Sequence, residues 1–344
     1  MCVKLFSVLA ALMGLSLIAA LVAHFGFGTV SQSVAAFGWT GFATICGIHL
    51  ALIVVMGFAW GVLLRGTRAW VPIWGRLVRD SGSEVLPLSQ VGGYVLGARA
   101  VTFGGVSATV ATASTIVDVT LELFAQLAYT AISLFWLFHL RPERAPVVPI
   151  AIGLAVAGGV SVAFLRVQHR GFDALDRFAR MLSHSWAEKT AAGAAALHTA
   201  LHDIYRRRTK VWASFGLHLG CWIAITLETW IALRIAGVRL GFSTVLVIES
   251  LLYAARSVAF AIPNAVGVQE GAYILLGGGF GLPPETALAL SLLKRARDLM
   301  IGLPTLVVWQ FLESSRLWRS GASPESNCGK AEPRPRLRAD SRLL

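Results

Sequence analysis

The chain has 344 residues, of which 56% are hydrophobic and 14% charged, with a formal charge of +12. A soluble domain carries about a quarter charged residues, and several apolar runs here reach the roughly 17–25 residues that cross a bilayer, so composition excludes a soluble domain and indicates an all-α, polytopic membrane protein. The positive charge matches what cytoplasmic membrane loops carry rather than a nucleic-acid face; Cys2, Cys46, Cys221 and Cys328 lack disulfide or metal spacing, and no metal or cofactor is expected.

Residues 5–23 read as a first membrane helix, retained rather than cleaved, because His24-Phe25 follows where a signal peptide would have small residues. Residues 24–40 hold no Lys or Arg, and 41–63 read as the second helix. Arg65, Arg68, Arg76 and Arg79 then fall within fifteen residues, which places 65–80 in the cytoplasm. Residues 84–116 are rich in Gly, Ser, Thr and Ala and read as a re-entrant hairpin. A clear helix follows over 117–140, then a short loop, Arg141-Pro142-Glu143-Arg144, and a further crossing over 147–165.

Residues 166–210 carry nine Lys or Arg against four Asp or Glu, which marks a cytoplasmic segment. Within it Phe172, Leu175, Phe178, Ala179 and Leu182 recur at helical spacing, as in an amphipathic helix lying on a leaflet. Arg206, Arg207, Arg208 and Lys210 read as a topology signal or as an anionic-lipid site. Crossings follow over 211–236, 244–262, 266–282 and 285–312. The total is about eight crossings plus the hairpin, with both termini cytoplasmic. Residues 1–313 form the membrane domain, and 314–344 read as a disordered basic tail.

Ala98-Arg99-Ala100-Val101-Thr102-Phe103-Gly104 matches Ala255-Arg256-Ser257-Val258-Ala259-Phe260-Ala261 at an offset of 157 residues. By the charge count one copy enters from inside and the other from outside, as in an inverted-topology repeat with a site at its interface. Chance similarity between two Ala-rich segments gives the same match.

The polar residues concentrate in two places. Asp118, Glu122 and Gln126 recur every four residues and line one helix face. They either pair with Arg99 or Arg256 and hold helices together, or line a proton path or a lipid head-group site. The stretch from Tyr253 to Asp298 is apolar yet carries Arg256, Glu270, Lys294, Arg295, Arg297 and Asp298. Charges there cost about 2.5–3.5 kcal/mol each unless paired or facing a polar interior. The run is broken at Pro263-Asn264, with Gly267 and Gly271 following, so a helix should end there and hand its freed backbone groups to polar partners. Glu270 is expected within hydrogen-bonding reach of Arg256, Lys294, Arg295 or Arg297, and Lys294 and Asp298 have the spacing of an internal ion pair. Four bases against Glu270 and Asp298 would leave surplus positive charge for an anionic or hydroxyl-rich head group; the alternative is a closed network joining two halves. His218 and Glu228 sit mid-span, His218 as a packing residue. No zincin, Walker or nucleophile-elbow motif is present.

The run Ile262-Pro263-Asn264-Ala265-Val266-Gly267-Val268-Gln269-Glu270-Gly271, with Gly281 and then Leu293-Lys294-Arg295-Ala296-Arg297-Asp298, resembles the membrane region of the lysylphosphatidylglycerol synthase/flippase superfamily. It is most similar to the hopanoid-biosynthesis-associated membrane proteins of the HpnL type. Arg99 through Gln126 match in order as well. The resemblance implies a multi-pass bacterial inner-membrane protein that handles hopanoid or anionic phospholipid, as a translocase or transport accessory. The buried charges and the broken helix make Arg99, Asp118, Glu122, Arg256, Asn264, Glu270, Lys294, Arg295, Arg297 and Asp298 the candidate substrate-binding residues. The aminoacyl-transferase domain of the bifunctional relatives is not found, so lysine transfer is not expected. The alternatives are a membrane-embedded enzyme or subunit modifying a head group, or a scaffold for lipid-biosynthetic enzymes. The topology has a direct test. Cysteines introduced near Gly28 and Glu143 should react with an impermeant thiol reagent from the periplasmic side, and one at Lys189 should not; labelling at Lys189 from outside would overturn the map.

Overall fold

The computed structural model describes residues 23–24, 26–86, 89–140, 158–159, 166, 184–259 and 262–321. Among the described residues all regular structure is helical: α1 Phe27–Gly61, α2 Trp70–Val85, α3 Ser89–Thr102, α4 Ala108–Leu140, α5 His184–Arg206, α6 Arg208–Ile235, α7 Phe242–Val258, a 3₁₀ turn Pro263–Ala265, α8 Val268–Gly278 and α9 Pro284–Gly321. The chain divides into two compact units, residues 1–306 and 307–344. Of the second, residues 307–321 are α-helix. Nearly all of the helix expected over 5–23, the crossing over 147–165 apart from Gly158 and Gly159, the apolar face from Phe172 to Leu182 and the tail beyond 321 lie outside the described residues.

Among the described residues three helices, α1, α4 and α6, are long and apolar enough to cross a membrane. They correspond to the spans read at 41–63, 117–140 and 211–236. Helix α1 begins earlier than expected, because 27–37 is helical too. It is interrupted at Gly38, whose φ of 63° and ψ of 177° suit a residue without a Cβ. The surface inverts the pattern of a water-soluble protein. Phe58, Phe135, Trp136, Leu227, Leu275 and Leu303 are exposed, while Asp118, His218, Glu228, Glu249 and Glu270 are fully buried. Apolar side chains outside and paired charge inside is the arrangement lipid requires.

Two expectations are corrected here. The first concerns residues 65–80. Trp70–Val85 is a helix, and Arg76 and Arg79 on it are only 4% and 3% exposed. They are core residues, which leaves Arg65 and Arg68 as the loop charge. The second concerns the hairpin over 84–116. The observed pair of short helices is α2 with α3, and 108–116 already belongs to α4. With 16 and 14 residues, α2 and α3 are each shorter than a straight crossing of about 20. They pack backbone to backbone because small residues line the contact. A methyl group at Gly93 would overlap Ser83 and the Arg79 carbonyl, and one at Gly97 would sit 2.6 Å from Arg79 Cβ. Small residues serve membrane helix packing in this way.

Helix α6 occupies the centre. Trp222 and Ile225 pack with Leu52 and Met56 of α1, Tyr129 of α4 and Leu246 of α7. Leu233 joins Phe37, Ile45, Val245, Leu252, Tyr273 and Leu290 in the largest apolar cluster. The Tyr129 hydroxyl and Thr226 share a 2.5 Å hydrogen bond between α4 and α6, and the Tyr129 ring stacks on Trp222 at 5.9 Å.

The two segments of the sequence repeat occupy comparable places, Arg99 in the last turn of α3 and Arg256 in the last turn of α7. The glycine contacts yield a prediction of opposite signs. Gly97→Ala should lower the melting temperature in detergent, because overpacking costs about 1–3 kcal/mol. Gly216→Ala on α6, where a Cβ meets nothing within 4 Å, should leave it unchanged or raise it, since Ala exceeds Gly in helix propensity by about 0.5–1 kcal/mol.

Candidate functional site

Four helices bring the first cluster together. On α2, Arg76 Nε donates to Asp80 Oδ2 at 2.7 Å, one turn along. On α4, Asp118 and Glu122 lie on the face turned toward α2. Arg76 grips Glu122 with both terminal nitrogens, at 2.8 and 3.0 Å, the bidentate geometry that makes arginine–carboxylate pairs strong. Arg79 donates to Asp118 Oδ2 at 2.7 Å and also to Glu122. From α6, His218 Nε2 lies 2.9 Å from Asp118 Oδ1. The Arg79 guanidinium stands over the Tyr94 ring of α3 at 4.7 Å. Asp118 and Glu122 therefore do face inward in a polar cluster. Their partners are Arg76 and Arg79, not the expected Arg99 or Arg256. Gln126, the third residue of that face, instead donates to Ser257 Oγ at 2.8 Å and to the Tyr253 carbonyl at 3.3 Å.

The second cluster holds the broken helix. Helix α7 stops at Val258 and α8 starts at Val268, so the break read at Pro263 is present. Asn264 and Ala265 both adopt left-handed conformations, with φ of 50° and 44°. Such a residue costs about 1–2 kcal/mol, and the surroundings hold both in place. Asn264 Nδ2 donates to the Glu84 carbonyl at 2.8 Å, and its Oδ1 accepts from Arg256 at 3.2 Å. Arg295 donates to the carbonyls of Asn264 and Ala265 at 3.4 and 3.5 Å. Glu270 accepts from the Gly267 N–H at 2.8 Å and from Arg295 and Ser291, which caps α8 and fixes Arg295 at once. The expectation that Glu270 meets one of four bases beside Asn264 is met by Arg295. Gly271 takes no part in the break. It lies within α8 with open space where a Cβ would be.

The remaining bases have their own acids. Arg256 donates to both Glu84 oxygens at 2.9 Å. Lys294 pairs with Glu249 at 2.8 Å, and Glu249 also accepts from Tyr273. Arg297 pairs with Glu228 and, at 2.7 Å, with Asp298, and His49 Nδ1 lies 3.1 Å from Glu228. The surplus of positive charge expected around Glu270 and Asp298 is therefore absent, because Glu84, Glu228 and Glu249 arrive from other helices. The Lys294–Asp298 pair does not form either: Lys294 points to α7, and Asp298 serves its neighbour Arg297. Glu84, His49 and Tyr273 have no signal in the sequence, and Arg76 and Arg79 read there as loop charge; the one-turn spacing of Arg76 and Asp80 is the signal that could have marked that pair.

Arg99 is placed elsewhere, on the wall of a cleft of about 350 Å³ between α3 and α4. Val91, Val95 and Ile116 make the cleft apolar, and Tyr94 and Thr102 add hydroxyls. Because Tyr94 also carries Arg79 on its ring, the cleft adjoins the first cluster. A second, open recess of about 520 Å³ is lined by His202, Tyr205, Arg206 and Arg208 at the junction of α5 and α6.

Asn264 separates backbone strain from side-chain contact. Asn264→Ala removes two hydrogen bonds and retains the left-handed strain; Asn264→Gly removes the same bonds and relieves it. Both should lower the melting temperature in detergent, Ala by more than Gly, the gap corresponding to about 1 kcal/mol. Equal loss in the two would mean that the backbone there is unstrained.

No curated protein and no solved structure matches the chain. The family model described as the lysylphosphatidylglycerol synthase TM region matches residues 5–304, nearly the whole chain and every residue of the clusters above. The chain belongs to the lysylphosphatidylglycerol synthase transmembrane-region family.

Proposed function

We propose that the protein moves polar lipids between the leaflets of a bacterial cytoplasmic membrane, or serves that movement as an accessory, with both termini on the cytoplasmic side. The observation that carries this reading is the cleft between α3 and α4. Its apolar wall suits acyl or polycyclic hydrocarbon, and Arg99 and Tyr94 offer a cation and a hydroxyl to a polar head group. The broken helix adds support, since discontinuous helices beside buried charge are a recurrent device of membrane transporters. Hopanoids are the first lipid class proposed, on the strength of the resemblance around Pro263 and Glu270, and anionic phospholipids the second. Lipid-biosynthetic enzymes would supply the substrate.

The test uses the full chain reconstituted in liposomes with head-group-labelled lipid, a fluorescent hopanoid in one set and fluorescent phosphatidylglycerol in another. A quencher added outside reads the rate at which inner-leaflet label becomes accessible. Wild type should accelerate movement of at least one lipid. Val95→Trp, which fills the cleft, and Arg99→Ala should each slow it about tenfold, the effect of about 1.4 kcal/mol on the rate-limiting step. No acceleration of either lipid by wild type would remove the reading.

A further inference from the structure

Charge counting separates the buried clusters into two kinds. Glu84 balances Arg256, Glu249 balances Lys294, and Glu270 balances Arg295. The two remaining clusters do not balance. Among the described residues, the bases paired with Asp80, Asp118 and Glu122 are Arg76 and Arg79, apart from His218. Among the described residues, Glu228 and Asp298 pair with Arg297, while the neighbouring Lys294 and Arg256 are already matched by Glu249 and Glu84. With the acids ionised, each carries one negative charge too many. In both, a histidine touches a fully buried carboxylate: His218 Nε2 at 2.9 Å from Asp118, and His49 Nδ1 at 3.1 Å from Glu228. The histidines occur where the arginines run short, and the balanced clusters use none.

Imidazole is the side chain whose charge ordinarily changes near neutral pH. One added proton would cancel the surplus in each cluster without moving a heavy atom. In His218 the nitrogen for it is Nδ1: the residue is fully buried, Nε2 is committed to Asp118, and Nδ1 makes no hydrogen bond among the described residues. That atom is an acceptor in the neutral ring and carries the extra proton in the imidazolium, while Nε2–H donates to Asp118 in both states. Beyond Asp118, Glu122 of α4 is the acid that interacts with His218, and Arg76, Arg79 and Asp80 of α2, Tyr94 of α3 and Cys221 of α6 complete the ionisable groups of that cluster. Those facing the His49–Glu228 pair are Cys46 of α1, Tyr253 of α7, and Lys294, Arg297 and Asp298 of α9.

We infer that His218 with Asp118, and His49 with Glu228, are two proton-binding sites. Both belong to α6, which supplies His218 to one and Glu228 to the other. The ten residues between them correspond to about 15 Å of helix rise. Protonating the first site changes the charge between α6 and the α2–α4 pair, which adjoins the cleft. Protonating the second changes it between α6 and helices α1 and α9. One helix thus reports to both, and protons are the coupling ion for lipid movement. The coupling rests on the transport reading above; the two sites do not.

The experiment has two arms on the full chain in liposomes. In the first, ¹⁵N-histidine resonances are followed from about pH 5 to pH 9, a range bracketing an ordinary imidazole. One resonance lost in His218→Gln and another lost in His49→Gln should each pass from the imidazolium to the neutral pattern. His218→Asn replaces His218→Gln if the latter does not fold. In the second, label accessibility is timed with and without acidification of one side. Wild type should show a pH-gradient dependence that both variants lose. Resonances that keep one protonation state throughout would overturn the sites, and variants that retain the full gradient dependence would overturn the coupling. Titrating resonances in a wild type that moves no lipid at any pH would support the sites and remove only the transport reading.

Discussion

Inside this bundle a charge is tolerable only beside its opposite, and nearly every long-range feature of the structure follows from that constraint. Removing one partner of a buried pair costs about 3–5 kcal/mol, because the charge left behind has neither water nor counter-ion. The pairs therefore tie together helices that lie far apart in the chain: Arg79 with Asp118, Glu84 with Arg256, Glu228 with Arg297. Lipid supplies no hydrophobic force to press helices together, so interhelical ion pairs and close glycine contacts do that work. The broken segment obeys the same rule at backbone level. Its exposed carbonyls and left-handed residues persist because Arg295, Arg256 and Glu270 are already fixed there by ion pairs.

What could be read from the sequence was local. Pro263 and Gly267 announce a helix break by their own backbone chemistry, and the break is where they put it. The four-residue spacing of Asp118 and Glu122 places them on one face. Glu270 had a small set of bases within reach, one of which it meets. What could not be read was partnership across the chain. An arginine flanking a membrane helix and one buried on a short helix look alike in sequence, so Arg76 and Arg79 read as loop charge until the fold shows them in the core. Glu84 and Arg256 are 172 positions apart, and no periodicity links them. Lys294 and Asp298 illustrate the opposite error: a rule for solvent-facing helix pairs fails on a helix whose inward face meets Glu249.

The two kinds of cluster suggest a division of labour within one scaffold. The balanced pairs, among them Glu270 with Arg295, sit around the broken helix and hold a fixed geometry. The unbalanced ones share α6, and one of them adjoins the α3–α4 cleft through Tyr94. The family to which the chain belongs is thus represented here by a frame of closed ion pairs with two open accounts of charge built into it.

The placement of Arg76 and Arg79 also bears on how the protein is made. Helix α2 leaves the ribosome after α1, on which it packs, but before the α4 acids that pair with its arginines. Glu122 and Asp118 follow 46 and 39 residues after the arginines they bind, and His218 comes 100 residues after Asp118. Alone, a 16-residue helix bearing two arginines is a poor candidate for hydrocarbon, at about 2.5–3.5 kcal/mol for each charge. Its stable residence awaits α4, and the cluster closes only when α6 arrives. During synthesis, then, the α2–α3 hairpin must wait at the insertion machinery or at the membrane interface, and a nascent chain arrested before α4 would leave it unintegrated and open to proteolysis.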